Sequence, residues 1–234
     1  MASRLGRRMR QTGVCSAMIV CLIVPTSCGS RGTAPQIGTI TGAEFASVIR
    51  KAGVELEKGT TVQSSRRAFF CRAGGASAYI GGVRDQDWSS EFALVLDERG
   101  SVGMQERGTA GPEGAGDYFA DWDGNGTLEF VWRTAVGAVE CTRVIEVAGG
   151  APRLLEIVPA LGFHPSFTWD AGGNGVLTYE HRSSRPVVFT LHRNPFRLSV
   201  SDPGGALREG WTITGPWARG MSTTTSVSTS APLE

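Results

Sequence analysis

Apolar residues recur at Phe45, Val48, Ile49 and Ala52, the i, i+3, i+4, i+7 spacing of one helix face. The residues before them supply a start. Thr41-x-x-Glu44 is a capping box, in which each side chain satisfies the other residue's orphan backbone N–H. Ile40 and Phe45 flank it as a hydrophobic staple, and Gly53 supplies the stop. The pattern predicts one N-terminal helix over 41–52. Beyond it the period changes to short apolar or alternating runs between turn-forming residues. Ala68–Cys71, Ala76–Ile80, Phe92–Leu96, Phe130–Thr134, Val139–Val147, Arg153–Val158, Val176–His181, Val187–Leu191, Leu198–Val200 and Trp211–Thr214 read as strands, with Met104 opening a weaker one. Gly74-Gly75, Asp97–Gly100, Gly149–Pro152, Ser183–Pro186 and Asp202–Gly205 read as turns, and Gly108–Gly116 as a Gly-rich loop. The fold class expected is mainly β.

A faint repeat runs through these strands. Trp122-Asp123-Gly124-Asn125-Gly126-Thr127-Leu128 recurs as Trp169-Asp170, then Gly173-Asn174-Gly175-Val176-Leu177, with two residues inserted. Asp85-x-Asp87-Trp88, followed by Glu91-Phe92, reads as a third, shortened copy. Units of roughly 40–50 residues fit propeller blades or stacked antiparallel hairpins, with a β-sandwich as the alternative. A chain of this length would make about four or five blades, at the low end of the usual range.

The first copy carries the most specific chemistry. Within Asp117–Thr134, Asp121, Asp123 and Asn125 alternate with Trp122 and Gly124, and Gly126, Thr127, Leu128 and Glu129 follow. Alternate oxygen-bearing side chains in a Gly-rich loop converge on one point, which suits a hard cation such as Ca²⁺. An EF-hand is ruled out, because counting from Asp121 puts Trp132 rather than Glu at the twelfth position. Glu129, at the ninth, is the available closing carboxylate. The pattern D-x-D-G-N-G-x-x-E followed by an apolar strand resembles the FG-GAP/VCBS repeats of integrin-like β-propellers over about a dozen residues. That resemblance implies a structural Ca²⁺ site with Asp121, Asp123, Asn125 and Glu129 as side-chain ligands and Thr127 giving its carbonyl. An acidic hairpin turn is the alternative reading of the same residues. The second copy has Thr168 in place of Asp121 and Thr178 in place of Glu129, so its ligand set is broken.

The N-terminus alters the picture of where this chain works. Arg4, Arg7, Arg8 and Arg10 precede an apolar stretch from Val14 to Val24, too short to span a bilayer reliably. Thr26-Ser27-Cys28 resembles the end of a bacterial lipobox, which implies that Cys28 is lipidated and becomes the mature N-terminus; Pro25 departs from the aliphatic residue usual there. An ordinary secretory signal is the alternative. The expected organisation is a signal at 1–27, a tether at 28–40, a β-rich domain at 41–217 and a disordered Ser/Thr-rich tail at 218–234. Cys15 and Cys21 leave with the signal, so Cys71 and Cys141 remain. Outside the cytoplasm they are expected to pair as a disulfide, with two separate buried thiols as the alternative.

Charge and missing motifs narrow the function. The net charge of the chain is +1, but without the four N-terminal arginines 19 of the 23 basic residues face 22 acidic ones, a net of −3. That leaves no electrostatic case for nucleic acid. No nucleophile elbow, Walker loop, His-Glu-x-x-His or Cys-x-x-Cys is present. His181 and His192 flank the 176–191 hairpin as a weak candidate metal pair, and the six tryptophans are candidates for a glycan-contacting face. The expectation is an exported scaffold or binding module, anchored in the bacterial membrane by lipid on the periplasmic or cell-surface side, with a protein or glycan partner in the envelope. The alternative is an envelope hydrolase drawing on Asp85, Asp87 and Asp170.

Overall fold

The computed structural model describes residues 34–86, 88–108, 119–208 and 210–224. The signal segment with Cys15, Cys21 and Cys28, the first part of the tether, most of the Gly-rich loop, Asp87, Asp117 and the tail from 225 lie outside the described residues.

The helix forms where the capping box places it. α1 runs Gly42–Lys51, with Thr41 as N-cap accepting from the Glu44 N–H at 3.2 Å while the Glu44 carboxylate accepts from the Thr41 N–H at 2.7 Å. Phe45 and Ile49 are buried with Ala68, Tyr79, Val83, Phe92 and Leu94, so the predicted apolar face docks on a sheet. The contact is close: a Cβ on Gly81 would lie 2.3 Å from the Phe45 ring, so only glycine lets the helix seat at that depth.

The remaining chain forms three stacked antiparallel sheets, and none closes into a barrel. In the first, β1 (Gln36–Thr41), β3 (Arg67–Ala73), β4 (Ala76–Arg84), β5 (Ser89–Leu96) and β6 (Val102–Gly108) lie in that order, and β2 (Thr61–Val62) pairs with β4. In the second, β7 (Phe119–Ala120), β8 (Glu129–Val136), β9 (Val139–Glu146) and β10 (Arg153–Val158) form a meander, and β15 (Thr212–Thr214) adds beyond β10. In the third, β11 (His164–Trp169), β12 (Gly175–His181), β13 (Ser184–Arg193) and β14 (Phe196–Ser201) form another, with β16 (Ser222–Thr224) parallel to β14.

Burial explains the sequence pattern. In β5, Ala93 and Val95 face the second sheet while Phe92 and Leu94 face α1. In β8, Phe130 and Trp132 pack on the first sheet and Val131 on the third. Strands covered on both faces read as continuous apolar runs, as these do. In the third sheet, Leu177, Tyr179, Val187, Phe189, Leu191, Leu198 and Val200 face inward and alternate with half-buried or exposed residues, because only one face is covered by a neighbouring sheet. A charge network also joins the first two sheets. Arg143 on β9 pairs with Glu106 on β6 and, at 2.6 Å, with Glu156 on β10, while Arg153 reaches Glu106 at 2.6 Å.

Three expectations change. The tether ends earlier than 40, since Gln36–Thr41 pairs residue by residue with β3. Ser222–Thr224, expected in the disordered tail, is a strand at the edge of the third sheet. β15, although it follows β14 along the chain, pairs with β10 of the second sheet, with Ile213 opposite Ile157. The described residues make three sheets rather than four or five blades.

Cys71 and Cys141 are both free and buried, so the expected disulfide is absent. Cys71 lies on β3, three strands from β6 in the first sheet. Cys141 lies opposite Thr134, whose hydroxyl donates to the Arg107 carbonyl on β6. Three strand spacings of about 4.8 Å exceed the roughly 7 Å Cα separation that a bridge tolerates. Burial pushes the Cys71 thiol up to about 12 and raises that of Cys141 as well, so both stay protonated and inert. Dithiothreitol is therefore expected to leave the melting temperature unchanged, and both thiols should resist alkylation until the chain is denatured. A melting temperature that falls on reduction would show a bridge instead.

Candidate metal centre

The acidic loop connects β7 to β8 at one end of the second sheet. Phe119 pairs with Phe130 and Ala120 with Glu129, so the hairpin closes immediately below residues 121–128. Positive φ at Gly124 (74°) and Gly126 (87°) lets the chain turn back on itself twice. Asp121 organises the turn: its carboxylate accepts from the Gly124 N–H at 2.8 Å and the Gly126 N–H at 3.1 Å. Asp123 accepts from the Asn125 backbone at 3.1 Å and side chain at 3.2 Å.

These bonds bring three carboxylates together. One oxygen from each of Asp121, Asp123 and Glu129 lies within 4.8 Å of the other two. Two oxygens on opposite sides of one Ca²⁺ stand about twice a bond of roughly 2.3–2.6 Å apart, so the spread matches a shared ion. Asp121 and Asp123 are half-buried, whereas Glu129 is fully buried at 0% exposure. One Glu129 oxygen accepts from the Trp122 N–H at 2.8 Å, and the other, Oε1, is buried with no hydrogen-bond partner. Burial pushes the Glu129 carboxyl up to about 8; the Trp122 N–H opposes this, and Asp123, Asp121 and Glu146 add repulsion.

The other two implied ligands are placed differently. Asn125 is exposed, and its carbonyl oxygen accepts from the Thr127 N–H at 2.7 Å, so it serves the turn. Thr127 is half-buried beside it. Two residues outside the motif complete the site. Glu146, opposite Glu129 across the β8–β9 ladder, accepts from the Asn125 side chain at 3.2 Å. Arg193, on β13 of the third sheet, donates to the Asp121 carbonyl at 3.3 Å and ties the loop to its neighbour. Nothing in the local sequence marks either one, since both arrive through sheet register and stacking.

The second copy occupies the equivalent β11–β12 hairpin, and Trp169 stacks on Trp122 at 5.5 Å. Its Asp170 carboxylate is taken up by the Gly172 and Asn174 N–H groups and the Asn174 side chain, each at 2.8 Å. Those bonds, the Asn174 side chain first, hold Asp170 below the usual carboxylate range. The third copy is out of phase, because Asp85 and Trp88 sit in the β4–β5 hairpin instead. Asp85 accepts there from the Trp88 N–H at 2.7 Å and from Arg107 at 2.6 Å. His181 and His192 are not brought together: His181 sits at the Ser184 end of the β12–β13 ladder, whereas His192 lies beyond Leu191 at the Gly175 end. His192 bonds to Ser199 at 2.8 Å, and exposed His164 lies 3.8 Å from Glu140.

Comparison with known proteins finds no matching family model, curated protein or solved structure. The likeness to FG-GAP/VCBS loops therefore rests on the residues of this loop alone.

A pH dependence follows from Glu129. Its folded-state pKa lies above its ordinary value, so the folded protein holds this proton more tightly than the unfolded chain does. The contribution is fully present below the ordinary carboxylate range and is lost as pH rises toward about 8. In chelator, the urea midpoint should fall from pH 5 to pH 8, and Glu129→Gln should flatten that slope. An identical slope in the variant would assign it to other groups.

Proposed function

We propose that this protein is an exported, lipid-anchored β-scaffold or binding module of the bacterial cell envelope, in which the β7–β8 loop holds a structural Ca²⁺. The observation that carries the metal assignment is Glu129: a fully buried carboxylate with one unpartnered oxygen, within 4.8 Å of oxygens from Asp121 and Asp123. Burying an ionised carboxylate without full pairing is costly, and a cation among these oxygens offsets both the desolvation and the mutual repulsion. The donor set is all oxygen, which favours a hard cation over a transition metal. The ion would fix the hairpin that presents Trp122 to Trp169, Phe167 and Trp217 between the second and third sheets. Such a position supports a structural rather than a catalytic role.

Ca²⁺ binding is linked to folding, because the loop assembles only in the native state. Extracellular sites of this kind bind on the order of 10⁻⁴–10⁻³ M. With millimolar Ca²⁺ the expected stabilisation is then about 0.4–1.4 kcal/mol, a shift of a few degrees in melting temperature. Asp123→Ala should abolish the shift and Asp170→Ala should leave it intact. Equal wild-type melting temperatures in chelator and in several millimolar Ca²⁺ would reduce the loop to a turn.

The anchor is tested separately. Cys28→Ser is expected to move the protein from the membrane to the soluble fraction, because it removes the thiol that would carry the lipid. Membrane association that survives the substitution would overturn the lipid anchor.

A further inference from the structure

A second glutamate stands directly opposite Glu129. In the β8–β9 ladder Glu146 is its register partner. Glu146 has the parity of Val144 along β9, and Glu129 that of Val131 along β8, so both lie on the face turned toward the third sheet. Directly opposed side chains of an antiparallel pair have Cβ atoms about 4.5–5.5 Å apart, and like charges placed so repel. The repulsion is felt at Glu129, where Glu146 joins Asp123 and Asp121 in pushing the carboxyl up. A neutral residue at 146 would remove it, so the opposed pair needs a reason.

No side-chain cation answers these charges. Among the described residues, Asp121, Asp123, Glu129 and Glu146 make no ion pair with a lysine, arginine or histidine. Arg193 reaches the loop but donates to the Asp121 backbone carbonyl at 3.3 Å. Glu146 is half-buried, and its Oε1 accepts from the Asn125 side chain at 3.2 Å. The same amide donates to Asp123 at 3.2 Å, so one neutral group holds the two carboxylates side by side.

The oxygen supply points the same way. Ca²⁺ takes about six to eight oxygens. Asp121, Asp123 and Glu129 each bring one within 4.8 Å of the other two, and Oε1 of the fully buried Glu129 has no partner. The Asn125 carbonyl oxygen, which the motif would enlist, already accepts from the Thr127 N–H at 2.7 Å. The loop by itself is therefore short of free oxygens, and Glu146 stands beside it on a strand whose position the ladder fixes. We propose that Glu146 is a fourth carboxylate of the calcium site, contributed by β9 and absent from the loop motif. This rests on the calcium reading above and extends it, because the ion would then tie the loop to β9 as well as close the β7–β8 hairpin.

Melting the purified full-length chain across a series of Ca²⁺ concentrations tests the assignment, since the rise in melting temperature with free ion yields the Kd. Glu146→Gln keeps the shape and can still accept from Asn125, but removes the charge. Its calcium affinity is expected to fall roughly tenfold, the effect of a unit charge about 6 Å from a divalent ion in water. In chelator the same variant should melt above wild type, because the like charge opposite Glu129 is gone. A residue that only braced the turn would give neither result. Glu140→Gln removes an equal charge from the far end of β9, roughly 20 Å away, and should leave the affinity unchanged. Unaltered affinity in Glu146→Gln, an equal loss in Glu140→Gln, or a Glu146→Gln chain that melts below wild type in chelator would each overturn the assignment. The two ideas fail differently: no calcium shift in the wild type sinks the calcium reading itself, whereas a wild-type shift that Glu146→Gln retains in full sinks the fourth carboxylate alone.

Discussion

Val131 faces the third sheet while its neighbours Phe130 and Trp132 face the first, and this two-sided burial of the second sheet is what the rest of the molecule depends on. A sheet apolar on both faces cannot stand in water; it needs a cover on each side. The first sheet repeats the condition, with α1 as its second cover. Each fully buried side chain of the Phe, Leu or Ile class contributes roughly 1.5–3 kcal/mol relative to exposure. The layers are therefore held by the sum of many such contacts. A single layer would be left with an apolar face, so the stack is stable only as a unit.

That same constraint makes the acidic loop costly. Glu129 opens β8, and its parity along the strand places it with Val131, on the side facing the third sheet. A side chain there is taken out of water because the sheets stack, whatever its charge. The Trp122 N–H satisfies one oxygen and leaves the other unpaired. The repulsion from Asp121, Asp123 and Glu146 and the desolvation act in the same direction, and both are relieved by one divalent cation or, in its absence, by a proton. The two remedies compete for one carboxylate.

Charged side chains at the junction of the first two sheets are paired with one another. Arg143, on the central strand β9, spans the first and second sheets between Glu106 and Glu156. Buried ion pairs of this kind add little net stability, because desolvation cancels much of the attraction. Their geometry still favours one register of β6 against β9 and β10, since a shift would leave buried charge unpaired. Arg107 plays the corresponding part at the β4–β5 hairpin, where one guanidinium positions Asp85, Ser90 and Glu57.

How much of this was legible in the sequence follows the range of the interactions. α1 depends on Thr41, Glu44 and four apolar residues within three turns, so the sequence alone determined it, cap included. Most strands and turns were also local matters of period and turn chemistry, and so was the turn that gathers Asp121 and Asp123 around backbone N–H groups. Residues 36–41 carry little apolar signal, and their strand exists because β3 offers an open edge. β15 joins β10 rather than β14, and β16 runs parallel to β14, because pairing partners are chosen by packing over long separations. Cys71 and Cys141 match by compartment logic but are kept apart by their places in two sheets. The depth of Glu129, the approach of Glu146 and Arg193 to its loop, and the exposure of Trp88 among five covered tryptophans were decided by tertiary structure alone. Each is set by which faces meet when the sheets stack, and no window of neighbouring residues contains that information.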